Sequence, residues 1–197
     1  ILMIKSASQE RVWAVLLAFV FILQCLYFVP IPAQAADNNA LTIFLNQQSG
    51  NDSNSGTTAD KALKTLDAAI KALASEGGTV VITGQYTVSS DYKEPSHGKP
   101  VTLTSLYGGV DYRTSGAALI LGSKVIYKMS GEDIFRDINI NYNGVCVIAA
   151  CFNPVTIDTG VVTKNTASAS NQLYLLGGYE APEANLPANL DSHVTIK

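Results

Sequence analysis

Hydrophobic residues in this chain follow two periodicities, and the change between them comes at Gly77-Gly78. Before it, Leu66, Ile70 and Leu73, prefaced by Leu63, share one face of a helical repeat. That pattern predicts a helix over residues 65–75, with Thr65 as N-cap, Asp67 at the positive end of the dipole and the two glycines as the stop. After it, apolar and polar residues alternate in short runs. These predict strands at 79–83, 101–104, 118–121, 124–127, 138–141, 145–149, 155–158, 173–176 and 193–196; one more, 41–45, precedes the helix. Many runs read apolar-polar-apolar with Thr or Asn at the centre, the mark of a strand with one buried and one wet face. Equivalent strands return at roughly twenty-residue intervals, as from Val80 to Thr102 and from Thr156 to Tyr174, which is the range of a solenoid repeat.

Two all-β architectures take strands of this kind. A sandwich links longer strands by tight hairpins, and Asn143-Gly144 is a turn pair of that type. A parallel β-helix stacks short strands, one coil of chain upon the next, and its open end needs a cover. The lone amphipathic helix ahead of the strands answers that need, whereas a sandwich gives it no task. The expected fold is therefore all-β, a parallel β-helix (solenoid) with an N-terminal capping α-helix.

Specific residues carry a family likeness to the same architecture. Ser49-Gly50-Asn51-Asp52-Ser53-Asn54-Ser55-Gly56, Leu63-Lys64-Thr65-Leu66-Asp67-Ala68-Ala69-Ile70, Gly77-Gly78-Thr79-Val80-Val81-Ile82 and Gly84-Gln85-Tyr86, in that order, resemble the N-terminal cap of right-handed β-helix proteins of the pectin-lyase-like superfamily. Phe135-Arg136-Asp137-Ile138-Asn139-Ile140 resembles the rung motif of that superfamily, in which Phe and two later apolar residues point inward; Asp137 stands where Asn is usual. The likeness covers residues 41–141 well and 142–197 loosely. It implies right-handed coiling and says little about activity, because the superfamily includes polysaccharide lyases, glycoside hydrolases, adhesins and inert surface proteins. The style also resembles surface proteins of Gram-positive bacteria. The sequence stops at Lys197 straight after a strand pattern, so a truncated fragment is expected, with further rungs beyond it.

The N-terminal composition sets a destination. Residues 1–35 read as a signal peptide: Lys5 and Arg11, an apolar run from Val12 to Val29, Pro30, and Ala33-Gln34-Ala35, with cleavage after Ala35. An uncleaved transmembrane anchor is the alternative. The expected layout is signal peptide 1–35, strand, loop and capping helix 36–78, and β-helix rungs 79–197. The product is secreted or held at the cell surface, touching membrane only through the signal segment. Removing 1–35 takes Lys plus Arg from 13 to 11 and Asp plus Glu from 16 to 15, a net charge of −4. No basic patch survives, so nucleic acid is not an expected partner. Cys146 and Cys151 are expected as separate, mostly buried thiols, since their odd spacing puts them on opposite faces of a strand.

Candidate chemistry is sparse. Asp52-x-Asn54-x-Gly56 shares the spacing of calcium loops, but Asp60 and Lys61 stand where the closing Glu belongs, so a solvated turn is preferred and calcium is the one cofactor left open. No other metal ligand set is visible. Ser96-His97-Gly98 lies in a loop between Pro95 and Pro100 with no carboxylate pair beside it, and Glu132-Asp133 is assigned to a turn. Arg136, between Asp133 and Asp137, is expected in a surface ion pair. Catalytic residues are expected to be none. The ligand candidates are Tyr107, Tyr112 and Arg113, in a loop around Gly108-Gly109, where tyrosine rings can stack on sugars. Packing over rung edges, and simple solvent exposure for Arg113, are the blander and preferred readings. The functional expectation is a secreted or cell-surface β-helix segment, non-catalytic, binding polysaccharide or cell-wall glycan or acting as a scaffold. The alternative is the N-terminal part of a polysaccharide lyase or glycoside hydrolase whose active rungs lie beyond residue 197.

Overall fold

A computed structural model describes residues 40–166, 171–177 and 194–197. The expected signal segment with Ala35, together with Tyr179 and His193, lies outside the described residues. After the first strand, β1 (Leu41–Leu45), comes the one α-helix among the described residues, α1 (Leu66–Leu73). Leu66, Ile70 and Leu73 are fully buried, as the stripe predicts. Each contributes about 1.5–3 kcal/mol relative to exposure, and α1 packs on β1 and on β2 (Gly78–Ile82).

Both helix ends are tied by side chains or backbone in the way the sequence suggests. Thr65 Oγ1 accepts from the Ala68 amide, and Asp52 Oδ1 accepts from the amides of Lys64 and Thr65. At the other end the Gly77 amide returns to Leu73 O at 2.7 Å, with Gly77 at φ 70°, a left-handed cap that glycine adopts without strain.

From β2 onward the chain visits three sheets in strict rotation. The first circuit is β2, β3 (Gln85–Val88) and β4 (Tyr92–Lys93). The second is β5 (Val101–Thr104), an antiparallel hairpin of β6 (Leu106–Tyr107) and β7 (Val110–Asp111), then β8 (Ala118–Leu121) and β9 (Ile126–Lys128). The third is β10 (Asp133–Phe135), β11 (Asn139–Tyr142) and β12 (Val145–Ala149). Then follow β13 (Val155–Ile157), β14 (Val162–Asn165), β15 (Gln172–Leu176) and β16 (Val194–Ile196). The sheets run β1-β2-β5-β10-β13-β16, β3-β8-β11-β14 and β4-β9-β12-β15, and every pairing within them is parallel. This is an all-β-dominant fold of stacked parallel sheets with one helix, compatible with a β-helix or solenoid.

Register aligns inward residues into columns that fill the core. Ile43, Val80, Leu103 and Phe135 stack in the first sheet; Tyr86, Leu119 and Ile140 stack in the second; Tyr127 and Ile148 stack in the third. Phe135, Ile138 and Ile140 all point inward, and Asp137 turns the corner between them at φ 45°, which an Asp or Asn tolerates.

Several boundaries differ from expectation. Strand 124–127 is displaced to Ile126–Lys128, because Lys124 sits at φ 63° in a turn. Asn143-Gly144 does not close a hairpin: it joins β11 to β12, which belong to different sheets. Asp133 begins the buried strand β10 instead of occupying a turn. Cys146 and Cys151 form no disulfide; Cys146 is buried, with its thiol 3.0 Å from Gly122 O.

Candidate functional site

Two links between the sheets depart from the plain rotation. The first joins β5 to β8. Elsewhere this corner takes a few residues, as between Phe135 and Asn139, but here residues 105–117 intervene and carry the β6–β7 hairpin. Gly108 and Gly109, at φ 58° and 82°, make its two-residue turn. The three ligand candidates all belong to this insertion, and most of their groups are spoken for. Tyr107 stands edge-on to Phe44 with ring centroids 5.5 Å apart, yet remains 37% exposed. Tyr112 packs on Phe44, Ala62 and Val81.

Arg113 is neither a free ligand arm nor simply solvated. Its guanidinium grips Asp111 through Nε and Nη2, both at 2.8 Å, and donates from Nη1 to Gly160 O at 2.7 Å. The Arg113 contact holds the Asp111 carboxyl below its ordinary range. Arg136 likewise pairs with Asp158, at 2.6 Å, and not with its sequence neighbours.

The calcium candidates are engaged too. Besides its two amide bonds, Asp52 accepts from Thr65 Oγ1 at 2.8 Å, and Asn54 Nδ2 donates to Ala62 O at 3.0 Å. Tyr86 and Tyr92 are struts to the helix: the Tyr86 hydroxyl accepts from the Leu66 amide, and the Tyr92 hydroxyl donates to Asp67.

The second corner joins the third sheet back to the first, and it was not legible in the sequence. The link after β4 supplies Glu94 and His97; one circuit on, β9 supplies Tyr127, the link that follows it Ser130, and the start of β10 Asp133. His97 has two carboxylates beside it after all. Its Nε2 lies 3.6 Å from Glu94 Oε2 and 3.5 Å from Asp133 Oδ1, and all three side chains are buried. One donor atom from each falls within 4.8 Å of the others, the one such group of three among the described residues.

Several contacts fix the corner. His97 Nδ1 lies 2.9 Å from Lys99 O. The Tyr127 hydroxyl donates to Glu94 Oε1, and the Ser130 amide to Oε2. Gly131 lets the His97 ring lie against the backbone: a Cβ there would come within 2.6 Å of His97 O and collide with the ring.

Electrostatically the corner is tense. Neither Asp133 oxygen accepts a hydrogen bond from the protein, and His97 Nε2 and Ser130 Oγ have no partner. Burial, followed by the Glu94 charge, pushes the Asp133 carboxyl well above its usual range. The Glu94 carboxylate raises His97, against the opposing effect of burial. Burial also drives the Tyr127 phenol well up.

Compared with known proteins, the chain matches no family model, no curated protein and no solved structure.

Proposed function

We propose that this chain forms a helix-capped right-handed parallel β-helix of the pectin-lyase-like kind, exported to the cell surface as a non-catalytic scaffold that contacts polysaccharide through its inserted hairpin. One observation carries the reading: the succession of parallel strands is interrupted by a single antiparallel excursion among the described residues, and that excursion exposes Tyr107 and, at 51%, Val110. In stacked folds, insertions of this kind gather on the binding face. The hairpin's charges are taken up by each other and by Gly160, so an aromatic and aliphatic rim is what it offers outward. Tyrosine in such a rim stacks on sugar rings while its hydroxyl reaches water.

Co-sedimentation with insoluble cell-wall polysaccharide tests the proposal. The native chain pellets with the polymer, and Tyr107→Ala lowers affinity about three- to tenfold, the worth of one aromatic contact. Equal pelleting of the variant removes the hairpin from the reading. Robust release of unsaturated product from polygalacturonate in the presence of calcium replaces the scaffold with a lyase.

A further inference from the structure

We propose that Glu94, His97 and Asp133 bind one first-row divalent cation of the zinc class, a structural staple joining two successive circuits of the coil. The separations are the first ground. Nε2 to the two carboxylate oxygens measures 3.6 and 3.5 Å, too long for hydrogen bonds. They match the edge of a tetrahedron built on metal bonds of about 2.1 Å, which is about 3.4 Å.

Orientation is the second ground. The contact of His97 Nδ1 with Lys99 O places the imidazole proton there and turns the Nε2 lone pair toward the carboxylates. Glu94 is steadied by Tyr127 and the Ser130 amide. Supporting contacts of this sort orient the ligands of metal centres.

Third, the fold has no structural use for the Asp133 carboxylate. Asp133 stands in a column between Val101 and Val155, and all three side chains are buried. A valine fills this slot on either side, yet the chain places there an acid with both oxygens unpartnered. A buried polar group without a partner is costly, and a dication would replace the proton and balance the two carboxylates around a neutral imidazole.

Ligand type selects the metal. Calcium and magnesium prefer all-oxygen shells, whereas imidazole with carboxylates suits zinc and its neighbours. Ser130 Oγ, buried and without a hydrogen-bond partner, is the candidate for a fourth oxygen. Burial of every ligand marks the site as structural, with no open position for substrate.

The test uses the tag-free chain, stripped with chelator and dialysed against micromolar zinc or cobalt. Metal content is then read by mass spectrometry and cobalt geometry by visible absorption. Expected are one metal per chain, an intense tetrahedral cobalt band, and a melting temperature that chelator lowers by several degrees. Asp133→Val restores the valine column, so it folds, loses metal about tenfold or more and melts independently of chelator. Glu94→Gln, nearly isosteric, loses metal likewise, while Asp158→Asn, elsewhere on the coil, retains it. Absence of stoichiometric metal in the native chain overturns the proposal, as does metal content unchanged in both Asp133→Val and Glu94→Gln.

Discussion

The two irregular corners use their charged and imidazole groups in opposite ways, although each also keeps a buried serine hydroxyl, Ser105 or Ser130, without a hydrogen-bond partner. At the hairpin corner every charged group named is matched: Arg113 serves Asp111 and Gly160, and the Tyr112 amide reaches Ser105 O. At the Glu94 corner, a buried acid and a buried imidazole nitrogen find no hydrogen-bond partner in the protein. Satisfied polar groups are explained by the fold they hold; unsatisfied buried ones are costly and need a further reason. The difference teaches that conspicuous surface residues can be structural fittings while inconspicuous ones converge in the interior.

Four measurements break or sharpen this contrast. Gly131→Ala is expected to cost about 2–3 kcal/mol in urea unfolding, since its Cβ collides with His97 and the packed corner must shift. Gly108→Ala, with open space around it but φ 58°, should cost only about 1 kcal/mol. Equal costs would mean that the Glu94 corner is no tighter than the hairpin.

Next, in chelator, Asp133→Val should raise stability by about 1–3 kcal/mol, because an apolar residue replaces an unmatched buried acid. A loss under those conditions would show that the carboxylate is matched within the protein itself. At the other corner, Arg113→Ala should cost about 0.5–1 kcal/mol, the worth of a partly exposed ion pair. A double-mutant cycle with Asp111→Ala isolates the pairwise part.

The smallest effect is one of pH. The Asp111 carboxyl titrates below its ordinary value of 3.8 in the folded chain, chiefly through Arg113. The unfolded chain therefore binds its proton first as pH falls. The contribution of Asp111 is fully present above pH 3.8 and disappears as pH drops through the lower folded value. Asp111→Asn should accordingly flatten the acid limb of the stability curve, and an unchanged limb would leave the Arg113 pair without thermodynamic weight.

What the sequence discloses is what local pattern controls. The face of Leu66, Ile70 and Leu73 and the cap at Thr65 are spaced by helix geometry, so they could be read directly, whereas the inward trio of Phe135, Ile138 and Ile140 comes from the family resemblance. Strand β10 escaped because it opens on an acid, and β3 because Gln85 and Thr87 dilute its two inward residues, Tyr86 and Val88. The Glu94 corner depends on register. Asp133 meets His97 only because Asp133 aligns with Val101, and that alignment includes the hairpin insertion, which makes this circuit longer than the ones directly before and after it. A usable signal was present: with Val101, Asp133 and Val155 in one column, an acid among valines stands out. Reading it requires unequal circuit lengths, which a fixed repeat of about twenty residues conceals.

The columns also set the grain at which this molecule can change. Phe135 and Ile157 occupy equivalent places 22 positions apart. A deletion of one residue inside a strand reverses which side chains face the interior, whereas excision of a full circuit brings like positions together again. Changes of length are therefore absorbed with least disturbance to the core when they keep like residues in one column.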